Sequence, residues 1–257
     1  MAKSNQVPPA LQPATQPKLL VPLGRGARGK TFLVRWMLER AQSQGRDIVV
    51  ADADRTNATL SSFFDGVVTP PSADDRDVKE FLAQFIERQI EEKFSAVLDL
   101  GGGDLVLKQI ARETQLVQFL SQHGVTPVAI HCIGADVDDL AYLQDVEQSG
   151  IFAPDATVLV LNEATVPAHR TPLSAFESTV RNHPILTKVI ERGGKLVRMP
   201  RLEPAGDIDA RRLTFAAAEE GRVKDGQQVI GPWKRQQIAI WRRVMEESFA
   251  PVAAWLP

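Results

Sequence analysis

The sequence predicts an α/β fold, a mainly parallel sheet flanked by helices in three layers. Short all-apolar runs alternate with helix-length segments along the chain, which is the pattern of right-handed βαβ crossovers. The first such run, residues 19–23, stops at a glycine-rich loop of the form G-x-x-x-x-G-K-[ST], Gly24 to Thr31, and a helix-like segment follows at once. Two later runs, 48–51 and 94–98, stop at carboxylates. Ligands of an open α/β sheet collect beyond the carboxyl ends of its strands, so these three strand ends mark one edge as the place to look for chemistry.

The elements follow in order. A helix is expected over 30–44, with Leu33, Trp36 and Met37 able to face the sheet and Gly45 ending it. The run 48–51 is short and wholly apolar, as a strand buried on both faces should be. It leads into Asp52-Ala53-Asp54-Arg55-Thr56-Asn57-Ala58-Thr59. A polar, proline-containing link covers 68–73. The segment 74–93 is a charged amphipathic helix, with Val78, Phe81, Leu82, Phe85, Ile86 and Ile90 at helical spacing. Strand 94–98 ends in Asp99-Leu100-Gly101-Gly102-Gly103-Asp104. A helix over 105–123, a strand over 125–133, a helix opened by Gly134-Ala135-Asp136 and running to 148, and a strand over 156–161 ending at Asn162 complete the regular part. Helical patterns over 171–192, interrupted at Pro184, flank a strand at 196–199 that Pro200 stops. Helical candidates remain at 207–219 and 232–249.

Residues 1–17 are polar and carry Pro8, Pro9, Pro13 and Pro17, a composition that reads as a disordered tail. Residues 18–257 read as one domain. A chain of 257 residues can bury about 70–75 % of its unfolded surface. The net charge of −2 gives no global field toward nucleic acid or an anionic membrane. The one cysteine, Cys132, sits in an apolar run, reads as a buried thiol and fits a reducing cytosol. There is no apolar leader and no run of 18 apolar residues, so a cytoplasmic protein without a spanning helix is expected.

The chemistry of the loop follows from its residue types. Gly24, Gly26 and Gly29 permit positive φ and let backbone N–H groups turn inward, and the N-terminus of the next helix adds its dipole to this phosphate cup. Lys30 supplies a point charge for the β- and γ-phosphates, and the Thr31 hydroxyl can hold Mg²⁺. Asp99, at a strand end before three glycines, can hold the same ion through water and fix Thr31, or it can simply start a tight turn. Asp52 and Asp54 share one face of an extended chain. One can reach the metal shell and the other the attacking water, or the pair can serve as an Asx-turn and N-cap. The helix at 232–249 carries Trp233, Lys234, Arg235, Ile240, Trp241, Val244 and Met245, and reads as docked on the core or as a membrane-surface helix. Arg211, Arg212, Lys234, Arg235, Arg242 and Arg243 could form a DNA-phosphate patch or a solvated face. The four histidines show no metal-ligand spacing.

With these residues in hand, the chain resembles the ParA/MinD-type ATPases, which carry a deviant Walker A loop. Residues Gly24 to Thr31 resemble their K-G-G-x-G-K-[ST] loop, Asp52 to Thr59 their D-x-D-P-Q-x-N-A-T switch, and Val97 to Gly103 their Walker B strand. The likeness runs over about 18–200. Arg25 falls on the family's signature lysine, Ala27 on a loop glycine, and Arg55 and Thr56 on the switch proline and glutamine. The resemblance implies a P-loop NTPase fold with ATP and Mg²⁺ as cofactors and slow hydrolysis. It implies nucleotide contacts from Gly24, Arg25, Gly26, Ala27, Arg28, Gly29, Lys30, Thr31 and Phe32, and a base contact from Asn162. By the same likeness Lys30, Asp54 and Arg25 serve catalysis, and Thr31, Asp52 and Asp99 the metal. The partners implied are a second copy in an ATP-dependent homodimer and DNA or a DNA-bound adaptor, in plasmid partition or conjugal transfer. The departures keep open a non-hydrolysing interaction protein with a degenerate site.

Overall fold

The computed structural model describes residues 16–54, 59–101, 105–179, 183–221, 223–224, 227–228 and 230–257. Residues 1–15 of the expected tail, Arg55 to Ala58 of the switch segment, and Gly102 to Asp104 therefore lie outside the described residues.

The strands are β1 (Lys18–Leu23), β2 (Ile48–Ala53), β3 (Ser95–Leu100), β4 (Thr126–Ile133), β5 (Thr157–Asn162), β6 (Lys195–Met199), β7 (Val223–Lys224) and β8 (Gln227–Gln228). The helices are α1 (Lys30–Ser43), α2 (Asp75–Glu92), α3 (Leu105–Thr114), α4 (Leu116–Gln122), α5 (Val137–Ser149), α6 (Pro172–Thr179), α7 (Pro184–Glu191), α8 (Ala205–Ala210), α9 (Phe215–Glu220) and α10 (Pro232–Phe249). Strands β1 to β6 form one sheet in the order β2-β3-β1-β4-β5-β6, and each neighbouring pair is parallel. The winding reverses at β1, the strand that feeds the glycine-rich loop, which is where such sheets open a crevice. β7 and β8 pair as a small antiparallel hairpin.

Strand parity separates the layers. Leu20, Val50, Val97, Val128 and Val158 point to α1, α8, α9 and α10. Their neighbours Leu19, Val49, Ala96, Leu98 and Ala129 point to α2, α3 and α4 on the opposite face. Toward β5, that second face is covered by α5, α6 and α7 through Leu140, Phe176, Ile185 and Leu186. Both faces of the sheet are buried, which is why its strands read as continuous apolar runs.

Four expectations are corrected. The single helix expected over 105–123 is two helices, because Gln115 takes φ 52 and shifts the apolar phase from Ile110 and Ala111 to Leu116 and Leu120. The candidate over 207–219 is also two helices, with Thr214 capping α9 through its bond from the Ala217 N–H. Glu39 of α1 accepts the N–H groups of Phe215 and Ala216 at the same helix start. The strands β2 and β3 run further than expected, so Asp52 and Asp99 lie inside the sheet as register partners. Pro17, assigned to the tail, is tied in: its carbonyl accepts the Thr126 N–H at 2.8 Å.

Candidate functional site

The glycine-rich loop lies over the ends of β4 and β5, and two of its glycines are required there. Gly24 has φ 141, and a Cβ on it would stand 2.6 Å from the Cys132 carbonyl oxygen. Gly29 has φ 85, and its Cβ would stand 2.6 Å from Asn162 Nδ2. Gly26 departs from expectation. It does not take a positive φ and has open space around it, while Ala27 takes φ 58 in its place. The loop's left-handed turn is thus made by Ala27, so the missing family glycine costs the loop strain and not its shape.

Lys30 is buried, and its Nζ folds into the loop and donates to the Gly24 carbonyl at 3.1 Å and the Arg25 carbonyl at 3.4 Å. Thr31 Oγ1 donates to Asp99 Oδ2 at 3.0 Å. Asp99 is buried, and burial pushes its carboxyl up to about 7. The Thr31 bond and the Lys30 charge oppose that rise, while Asp52 and Asp54 add to it. An acidic carboxylate held at a cost beside a hydroxyl is a hard-oxygen donor set that suits Mg²⁺. The glycine-rich loop that runs into the N-terminus of α1 is a backbone type that suits phosphate oxygens.

Asp52 is buried as well. Its two oxygens accept the N–H groups of Asp54 and Leu60, both at 3.2 Å. Burial raises its pKa, and those two bonds work against the rise. This is the turn-forming geometry left open by the sequence, and Asp52 organises the loop after β2. Asp54 stands at the mouth, where its Oδ1 would lie 3.3 Å from a Cβ on Gly101.

Asn162 is buried and has both ends of its carboxamide engaged. Nδ2 donates to the Arg28 carbonyl at 2.9 Å, and Oδ1 accepts the Ala164 N–H at 3.0 Å. It fixes the top of the loop from the end of β5. Beside it opens a cleft of about 310 Å³ lined by Gly29, Phe32, Asn162, Met199 and Leu202 among others. Phe32 is set there by edge-on contacts with Phe215 and Trp241, at 5.0 and 5.5 Å between ring centres.

The loop's arginines turn toward α5. Arg28 Nε meets Asp139 at 2.8 Å and its Nη2 meets Asp136 at 2.6 Å. Arg25 Nη1 lies 3.3 Å from Asp138 and 3.9 Å from Asp139. These acids were missed from the sequence, where Asp136 reads only as a helix opener. The available signal was the D-x-D-D spacing on the first turn after β4, at the same sheet edge as two loop arginines.

Four residues of the basic patch are paired with acids. Arg211 and Lys234 share Asp207, Arg242 pairs with Glu219, and Arg243 pairs with Glu247. Helix α10 docks on the core through Ile238, Trp241, Met245 and Phe249 and leaves Trp233 exposed. Among the described residues, no helix is long and apolar enough to cross a membrane. Cys132 is buried, which pushes its thiol up to about 12.

No family model and no curated protein matches the chain. Solved structures with a similar arrangement include the signal recognition particle receptor FtsY from Elizabethkingia anophelis, at 11 % identity and a TM-score of 0.48, over 91 % of this chain and 68 % of that one. The MinD cell division protein of Aquifex aeolicus is 12 % identical with a TM-score of 0.46, over 90 % of this chain and 98 % of that one. Chloroplast FtsY from Physcomitrella patens is 17 % identical with a TM-score of 0.42, and this chain, over 67 % of its own length, spans 57 % of that protein. With its parallel six-stranded order, its glycine-rich loop at the strand where winding reverses, and helices on both faces, the chain has a three-layer α/β fold.

Proposed function

We propose that this protein is a Mg·ATP-binding switch ATPase of the ParA/MinD kind, which hydrolyses slowly and pairs with a second copy while ATP is bound. The observation that carries the reading is the Lys30–Thr31–Asp99 constellation: a buried ammonium folded onto two carbonyls of the glycine-rich loop, with a hydroxyl tied to a buried carboxylate one strand away. Lys30 exchanges its two carbonyl contacts for phosphate oxygens. Thr31 and Asp99 would hold a Mg²⁺ ion, which would supply charge neutralisation to the bound phosphates. Asp54, at the mouth, orients the water that attacks. Asp52 keeps that segment in place from behind. The cleft beside Asn162 takes the base. The resemblance assigns that base as adenine.

Arg25 carries the charge that the family's lysine would bring to the partner's phosphate, with a planar fork in place of a point charge. By the same resemblance the cargo is DNA or a DNA-bound adaptor, in plasmid partition or conjugal transfer. Calorimetric titration with ATP, ADP and GTP, with and without Mg²⁺, tests the nucleotide assignment. Mg²⁺-dependent binding of ATP over GTP is expected, and equal or absent binding overturns it. Light-scattering mass with a non-hydrolysable ATP analogue tests the pairing, which Arg25→Ala should abolish while nucleotide binding stays.

A further inference from the structure

The two loop arginines are held in unlike ways by one turn of α5. Asp139, with 1 % of its side chain exposed, takes Arg28 Nε on one oxygen and the Gly134 N–H at 3.1 Å on the other. Gly134 is close-packed in that contact: a Cβ there would lie 2.6 Å from Asp139 Oδ2 and 3.0 Å from Arg28 Nε. Asp136 closes on the far side of the same guanidinium. The Asn162 amide holds the carbonyl of the same residue. Arg28 is therefore fastened at backbone and side chain, and its charge is stabilised first by the bond to Asp139. Arg25 uses one nitrogen, Nη1, which lies 3.3 Å from Asp138 and 3.9 Å from Asp139, and the Arg25 and Asp138 side chains are 39 % and 76 % exposed. Exposed contacts of this length are weak and exchange readily. A contact built on a buried carboxylate is not given up without leaving that charge unpaired.

We propose that Asp138 is a parking site for Arg25 in the nucleotide-free chain. Arg25 leaves it to reach the nucleotide of a second copy, while Asp139 and Arg28 stay closed and keep the loop in shape. The proposal rests on the paired-ATPase reading above. One guanidinium occupies one of the two places, so the contact within the chain competes with the contact across the pair. The affinity of the pair then carries the cost of breaking the first contact. Asp138 acts through Arg25 and touches no phosphate, so it is a positioning residue.

The test is the mass of the full chain against protein concentration, by light scattering with a non-hydrolysable ATP analogue and Mg²⁺. Four proteins are compared: wild type, Asp138→Asn, Asp136→Asn, and Asp138→Asn combined with Arg25→Ala. Asp138→Asn should pair at a concentration about 2- to 5-fold lower than wild type, the range expected for one exposed ion pair. Asp136→Asn removes the same charge from the same turn but touches only Arg28, and should leave the midpoint unchanged. In the Arg25→Ala background, Asp138→Asn should restore nothing. An equal gain from Asp136→Asn, or a gain that survives without Arg25, overturns the parking site and assigns the effect to net charge. Pairing of wild type and Asp138→Asn at the same concentration overturns the proposal and leaves the paired ATPase standing. If every protein stays monomeric, the paired reading falls and takes the parking site with it.

Discussion

Thr31 and Asp99 stand 68 residues apart in sequence and meet at 3.0 Å, hydroxyl to carboxylate, across two neighbouring strand ends. Thr31 lies in the first turn of α1 and the strand β3 runs through Asp99, so the pair joins the glycine-rich loop to the sheet. Its cost is electrostatic and depends on pH. The Asp99 carboxyl ordinarily titrates at 3.8 and is raised to about 7 in the fold, chiefly by burial. A raised folded value means that the native state holds its proton longer. Its stability contribution is full below pH 4 and is lost as pH rises toward 7. Above pH 7 the buried charge costs on the order of 2–4 kcal/mol. Asp99→Asn should therefore raise the melting temperature of the nucleotide-free protein at pH 8 and change it little at pH 4. The same variant should lose Mg²⁺-dependent turnover. Equal melting shifts at both pH values would remove Asp99 as the source.

Lys30→Ala takes away the ammonium that now bridges two loop carbonyls. Hydrogen bonds to a charged group contribute about 1.5–3 kcal/mol each. ATP affinity measured by calorimetry should fall by at least about tenfold. Unchanged affinity would place the nucleotide elsewhere.

Asp54→Ala should separate binding from chemistry. With Asp52 still holding the N–H of residue 54, the local backbone keeps its turn, and ATP should bind as before. Turnover in a phosphate-release assay should drop by about 10²-fold if this carboxylate orients the water. Persistent turnover assigns that role to another group.

Gly29→Ala should be the most damaging single methyl in the loop. It meets φ 85 and a contact of 2.6 Å with Asn162 at once. The expected loss is about 2–4 kcal/mol in chemical denaturation, together with nucleotide binding. Gly26→Ala, with open space around it, is the matched control and should be near neutral in stability.

His131, in the middle of β4, is buried, and neither ring nitrogen has a partner among the described residues. Burial lowers its pKa from 6.5 to about 4. A lowered folded value means that stability is complete above pH 6.5 and drains away as pH falls toward 4, by about 3 kcal/mol over that window. His131→Leu should flatten this acid slope and stabilise the protein by about 1–3 kcal/mol at pH 5. Denaturant melts at pH 5 and pH 7 decide it, and a slope unchanged in the variant refutes the assignment to His131.

Much of the architecture was legible because apolar runs of period one mark strands buried on both faces, and most of them stop at a glycine, a proline or a carboxylate. The glycine-rich loop was legible for a different reason: Gly24, Gly29, Lys30 and Thr31 are local in sequence. What could not be read is what depends on pairing across the sheet. Nor does spacing show where a carboxylate turns: Asp52 could have reached a metal by its spacing from Asp54, yet its oxygens accept the backbone N–H groups of Asp54 and Leu60, two and eight residues further on. The acids of α5 sit more than a hundred residues from the arginines that they hold. The break at Gln115 was hidden because a single left-handed residue leaves both flanking helices with good periodicity.

The sorting of side chains by strand parity has a consequence for how this gene can change. Leu20 belongs to one layer of the core, and Leu19 and Val21 to the other. Inserting or deleting one residue in β1 would send every later side chain of that strand to the wrong layer, and would also carry Gly24 off the Cys132 carbonyl that only a glycine can face. Substitutions of similar volume are open to β1, but its length is not. Changes of length in this protein should accumulate instead at the amino-terminal edge of the sheet, in turns such as 44–47, at the end of the strands away from the glycine-rich loop.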